Sequence, residues 1–207
     1  MTRILSLLTV FAFAAATAFA QVDLGVKTGV NFATLAVDAD EIDDASFRTG
    51  FTAGVYKQFD FTDQFTFQSE LLYTQKGATY ECVGRDVEAK LSYIDLPLSL
   101  QVQIPSTPLK LYVGAQASYL LSAKYEYESG FFENGTDAFE YDDLDGFKRV
   151  EFSGLAGVGL QIKGIYLDAR LTRGFTNVED DRTVLNLPLE ANDTKNFGVA
   201  VTAGIAF

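Results

Sequence analysis

The stretch FTFQSELLYTQKG, residues 65–77, alternates apolar and polar residues and stops at a glycine. Phe65, Phe67, Leu71 and Tyr73 point one way and Gln68, Glu70, Thr74 and Lys76 the other, with Ser69 and Leu72 as exceptions. Period two marks a strand whose two faces meet different surroundings. One face is aromatic and aliphatic; the other is charged. Which of them looks inward decides the fold.

The alternation recurs in eight segments, residues 22–33, 47–59, 65–76, 93–104, 109–122, 150–163, 165–172 and 196–207. It is sharpest in the fourth, where Ile94, Leu96, Leu98, Leu100, Val102 and Ile104 oppose Tyr93, Asp95, Pro97, Ser99, Gln101 and Gln103. Pro97 counts mildly against a central strand, because proline lacks the N–H a ladder needs. Connections alternate in length: 60–63, 105–108 and 163–164 are tight, whereas 35–46, 77–90, 128–148 and 177–195 are long. An even strand number, with both termini on the tight-turn side, predicts an eight-stranded antiparallel up-and-down transmembrane β-barrel. Its apolar face meets lipid and its charged face lines the lumen. A soluble periplasmic ligand-binding barrel has the opposite arrangement and is the alternative.

The chain has 207 residues, about one domain, with 28 acidic against 16 basic residues and a net charge of −12. That balance excludes nucleic acid as a partner. Cys82 is the only cysteine, so neither an internal disulfide nor a cysteine metal site is available. Residues 1–20 read as a cleaved signal peptide: Arg3 precedes an apolar run, and Ala18-Phe19-Ala20 forms the cleavage site. The barrel then occupies 21–207, and export to the bacterial outer membrane is expected.

The predicted lumen faces carry Lys27, Arg48, Lys76, Lys110, Lys124, Lys163 and Arg170 against Asp23, Glu70, Asp95, Glu126, Glu151 and Asp168. Lys27, Arg48, Glu70, Lys76, Asp95, Lys110, Glu151, Asp168 and Arg170 are read as a structural network in which buried charges satisfy one another. An eight-stranded barrel is just wide enough for side chains to fill, which argues against a porin. Lys57, beside a tight turn, and Arg173, near the outer end of its strand, are the lipid-facing cations, sited where long side chains reach headgroups. No histidine is present, and no nucleophile stands beside a base at recognisable spacing, so no catalytic residue, cofactor or metal is assigned. The long connections hold most of the acidic residues, with dense clusters at 37–44 and 141–146. Calcium is the sharp reading of those clusters. An EF-hand frame anchored on Gly146 fails it, because Tyr141 and Phe152 fall at ligand positions. Solvated acidic loops, or loops bridged by divalent ions to lipopolysaccharide, are the blander reading. Tyr125, Tyr127, Phe131, Phe132, Phe139 and Tyr141 form either a recognition surface or a rim girdle.

Phe207 ends the last strand, and such endings resemble the signal read by the barrel-assembly machinery. Three stretches, 25–33, 67–77 and 93–98, together with 111–115 and the glycine-rich 154–159, resemble the PorT-like outer-membrane β-barrel family of Bacteroidetes across essentially the whole mature chain. The resemblance implies that Pro97 is a family feature and that the motifs are scaffold motifs without catalytic residues. It also implies secretion-system proteins as partners; outer-membrane lipid and lipopolysaccharide are the partners expected from the barrel's lipid-facing surface and acidic loops. A monomer acting as a scaffold or secretion accessory is the expected role; a surface receptor or adhesin working through its acidic loops is the alternative.

Overall fold

The computed structural model describes residues 22–36, 45–82, 85–127, 139–142, 147–178, 182–184, 187–189 and 195–207. The strands are β1 (Val22–Ala36), β2 (Ala45–Asp60), β3 (Phe65–Cys82), β4 (Arg85–Gln103), β5 (Leu109–Tyr127), β6 (Phe139–Asp142), β7 (Val150–Ile162), β8 (Ile165–Gly174), β9 (Arg182–Val184), β10 (Leu187–Leu189) and β11 (Lys195–Ala206). Every pairing is antiparallel, and β1 bonds both β2 and β11, so the sheet closes on itself. β6 and β7 both pair with β5 and together make the sixth stave of an eight-stranded barrel. β9 and β10 form a separate two-stranded sheet between β8 and β11.

The face assignment follows the alternation. Val113 is 63% exposed and Phe152 55%, while Gln68, Glu70 and Glu151 of the opposite phase are at 2% or less. The inverted, soluble arrangement is therefore not the one this chain adopts. Pro97 sits buried on the lumen side of β4. Its missing N–H falls where the β3–β4 ladder is interrupted, between Ser69↔Leu98 and Leu72↔Asp95, so the proline removes no bond that the sheet makes.

Three expectations need correction. The segment 77–90 is mostly strand rather than a long connection, because β3 runs on to Cys82 and β4 begins at Arg85. Gly77, at φ 134°, carries the backbone through a conformation that side chains disfavour, and the strand continues. Lys124 points outward. Ser92 pairs with Ser122 and Tyr93 with Leu120, which leaves Leu121 as a bulge residue, and one extra residue reverses the phase beyond it. Lys163 is exposed in the β7–β8 turn, at φ 48°, rather than in the lumen.

The staves differ in height. β3, β4 and β5 have 18, 19 and 19 residues, whereas β7, β8 and β11 have 13, 10 and 12. A transmembrane strand needs about 9–11 residues, so one wall of the barrel rises well past the lipid belt and the other barely clears it. Tyr125 and Tyr127 pair with Tyr141 and Phe139 on the tall wall, on strands rather than in a loop. The predicted signal peptide, the acidic cluster at 37–44, residues 143–146 and Phe131-Phe132 lie outside the described residues.

Candidate functional site

The lumen is built in layers, each fixed by which inward-facing residues the register brings to one level. Nearest the tight turns, Gln58 and Gln101 both donate to the Gln68 side-chain carbonyl, at 2.6 and 2.8 Å. Lys110 reaches Thr66 at 3.5 Å, and Thr66 donates to Asp60 at 2.5 Å.

The next layer is an ion cluster. Lys27 Nζ lies 3.1 Å from Glu70 Oε2 and 3.4 Å from Asp168 Oδ1. Arg170 donates to the other Glu70 oxygen and lies 3.4 Å from Asp168 Oδ2. Gln68 donates to Glu70 at 2.6 Å, Thr202 to Asp168 at 2.6 Å, and Tyr112 also donates to Asp168. Two cations thus face two carboxylates, and all four carboxylate oxygens accept hydrogen bonds. That is the condition under which buried charge is tolerated.

Beyond it lies a second ion cluster. Lys76 Nζ is 3.5 Å from both Asp95 Oδ1 and Glu151 Oε2, and it lies 4.5 Å from the centre of the Tyr93 ring. Asn196 donates to Glu151 at 2.7 Å and Ser153 does so at 3.0 Å. Arg48 donates to the Lys76 carbonyl at 3.1 Å. Here one lysine faces two carboxylates, and the Tyr93 hydroxyl, Asp95 Oδ1 and Asn196 Oδ1 are buried without hydrogen bonds. A cavity of about 30 Å³ is lined by Lys76, Asp95 and Asn196 on one side and Arg170 and Thr202 on the other.

An apolar cluster lies toward the outer end: Ala78, Leu91, Tyr93, Leu120, Ala123, Phe147 and Val178, none more than 4% exposed. Phe147 and Val178 come from the segments flanking β7 and β8. Backbone bonds hold them, Lys148 donating to Val178 and Leu120 to Arg149, each at 2.8 Å. The register therefore gathers Lys27, Glu70, Asp168 and Arg170 into one cluster and Lys76, Asp95 and Glu151 into another, with Arg48 beside the second and Lys110 apart near the turns.

The apolar layer and three tyrosines escaped the reading of the sequence. Tyr56, Tyr112 and Tyr166 are buried on the lumen side, each directly across the ladder from a glycine: Gly25, Gly157 and Gly204. A Cβ on Gly25 would overlap the Tyr56 ring, and one on Gly157 the Tyr112 ring. The glycines are the space in which the rings lie. Inward-phase tyrosines facing glycine-rich strands were the available signal.

Chemically, the lumen neutralises charge. Ser153 is hydrogen-bonded to Glu151, but that carboxylate already accepts from Asn196 and pairs with Lys76. Among the described residues no group of three His, Cys, Asp or Glu side chains is arranged to hold a metal.

A closed eight-stranded barrel with an apolar exterior and a filled, charged interior defines an integral outer-membrane protein. The family comparison agrees: residues 19–180 match the outer membrane protein beta-barrel domain, and the chain belongs to that family. Among solved structures, Neisserial surface protein A is similar at a TM-score of 0.52 and 13% identity, over 90% of this chain and 99% of that one. Ail, the attachment invasion locus protein of Yersinia pestis, solved with the heparin analogue sucrose octasulfate, is similar at 0.50 and 14%, again over 90% and 99%. At these identities the likeness is one of fold. A comparison with curated proteins found no match.

Proposed function

We propose that this protein is an occluded, non-catalytic outer-membrane scaffold that works through the partners it holds rather than by passing solutes. The observation that carries this reading is the lumen crowded with side chains, two ion clusters with the apolar Leu91, Tyr93, Leu120, Phe147 and Val178 cluster beyond them. The nine predicted charged residues are then structural: they allow polar strands to pack without water. The resemblance to PorT-like barrels makes a secretion accessory the specific form of the proposal. Phe207, 75% exposed at the end of the closing strand, is the proposed assembly signal, read by the assembly machinery after a signal peptide has directed export.

Planar-bilayer recording tests occlusion, with no conductance steps expected; steady conductance would overturn it. Loss of the gene with unchanged extracellular proteins would remove the secretion form. A second reading, a surface receptor, is favoured by the tall β3–β5 wall, which lifts its connections away from the membrane. Removal of residues 128–138 separates the two, since a scaffold keeps its partners and a receptor loses its ligand.

A further inference from the structure

The short wall carries an arrangement that the lumen does not explain. Lys148 and Arg149 stand exposed at the outer start of β7, Arg173 is exposed near the outer end of β8, and half-buried Lys195 opens β11. These three strands are consecutive neighbours in the barrel, so their ends lie roughly 10 Å across. Arg173 pairs directly with Phe197, and Lys195 lies two residues further out on the same face, which makes the two cations diagonal neighbours. None of the four has a carboxylate partner among the described residues. In a chain with a net charge of −12, four cations on one rim without a carboxylate partner among the described residues are a concentration against the overall balance.

Arg173 belongs to the lipid-facing phase of β8, after Ile165, Leu167, Ala169 and Leu171. A cation on the lipid face of a barrel costs roughly 2–4 kcal/mol at the midplane and about 0–1 at the interface, so its place at the strand end sets it at headgroup depth. Guanidinium matches phosphate geometry with paired hydrogen bonds. Phe152 and Phe175, 55% and 67% exposed, flank Arg173, and Phe47 meets Phe197 edge-on with ring centres 6.2 Å apart. Phe197 lies level with Arg173, and Phe152 and Phe175 lie two residues further out, so the rings offer acyl chains a surface beside the charges. Lys57, at the opposite rim, differs: its ammonium rests 4.8 Å from the centre of the Phe59 ring.

We infer that the outer rim of β7, β8 and β11 is a binding site for the phosphate groups of a phosphorylated outer-leaflet lipid of the lipopolysaccharide type, centred on Arg173 and Lys195. The site rests on the outer-membrane placement of the barrel and is independent of its scaffold role. It gives the protein a preferred lipid on one side, beneath the low wall.

The test places the full-length barrel in phospholipid nanodiscs and titrates it with lipid A and with chemically dephosphorylated lipid A. The wild type binds the phosphorylated lipid, and R173Q/K195Q binds it roughly 30-fold more weakly, at about a tenfold loss per 1.4 kcal/mol and about 1 kcal/mol per surface cation. K57Q leaves the affinity unchanged. Equal binding of the two lipids by the wild type would overturn the site, and so would full affinity in R173Q/K195Q. The wild-type comparison stands even if the double variant assembles poorly. A heat-dependent gel shift, scored on each preparation, reports barrel closure separately, so failed insertion is distinguishable from a missing lipid site.

Discussion

The two ion clusters of the lumen use the same residue types and reach different degrees of completion. Around Glu70 and Asp168, two cations, a glutamine, a threonine and a tyrosine occupy every carboxylate oxygen. Around Asp95 and Glu151, one lysine serves two carboxylates, and three buried polar atoms make no hydrogen bond. The first leaves no carboxylate oxygen without a hydrogen bond, while the second does, and a cavity of about 30 Å³ lies between them, lined by Arg170 and Thr202 of the first and by Lys76, Asp95 and Asn196 of the second. A cavity needs roughly 10–15 Å³ of such volume to take one water, so the space between the two clusters has room for about two waters. Burying charge thus takes two forms in one barrel, complete pairing and partial pairing.

The comparison is broken most readily at Arg170. Arg170→Met leaves Glu70 and Asp168 facing Lys27 alone, and removing one partner of a buried ion group costs about 3–5 kcal/mol. The urea midpoint of the barrel refolded in liposomes should fall accordingly. A change below about 1 kcal/mol would mean that the inner cluster does not depend on Arg170. Asp168→Asn sharpens the point from the other side, since Lys27 and Arg170 then share Glu70. A loss of roughly 3 kcal/mol is expected in the same assay.

Gly157→Ala probes the packing that supports the inner cluster. Its Cβ would enter the space of the Tyr112 ring, whose hydroxyl donates to Asp168. Overpacking of this kind costs about 1–3 kcal/mol. The double variant G157A/Y112L should recover part of the loss, because the two changes share one space. Strict additivity would show that the ring does not rest on the glycine.

The eight staves were legible because period two is a local signal, and each lumen residue follows from its own strand. What escaped depended on relations between strands. The bulge at Leu121 turns Lys124 outward, yet nothing in the residues around it announces an extra position opposite Ser92 and Tyr93. Gly77 reads as a stop and instead passes the strand on to Cys82. Leu91 and Leu120 look like lapses in a polar lumen until Phe147 and Val178, distant in sequence, cover them. The charges of the lumen could be enumerated beforehand, but their division into a complete and an incomplete cluster could not. That division depends on the tilt of one strand against another.

Asp95→Asn is the smallest and most discriminating change. At the inner cluster the equivalent loss of a carboxylate leaves a cation under-paired, but at the outer cluster Lys76 keeps Glu151, and two carboxylates no longer share one lysine. The new amide nitrogen gains the cavity as a neighbour, where water or the orphaned Asn196 carbonyl can accept from it. Lost Coulomb attraction and relieved repulsion nearly cancel, so the urea midpoint should move by no more than about 1 kcal/mol in either direction. A penalty as large as that of Asp168→Asn would show that Asp95 is as fully engaged as Asp168, and the distinction between a fully and a partly paired cluster would fall.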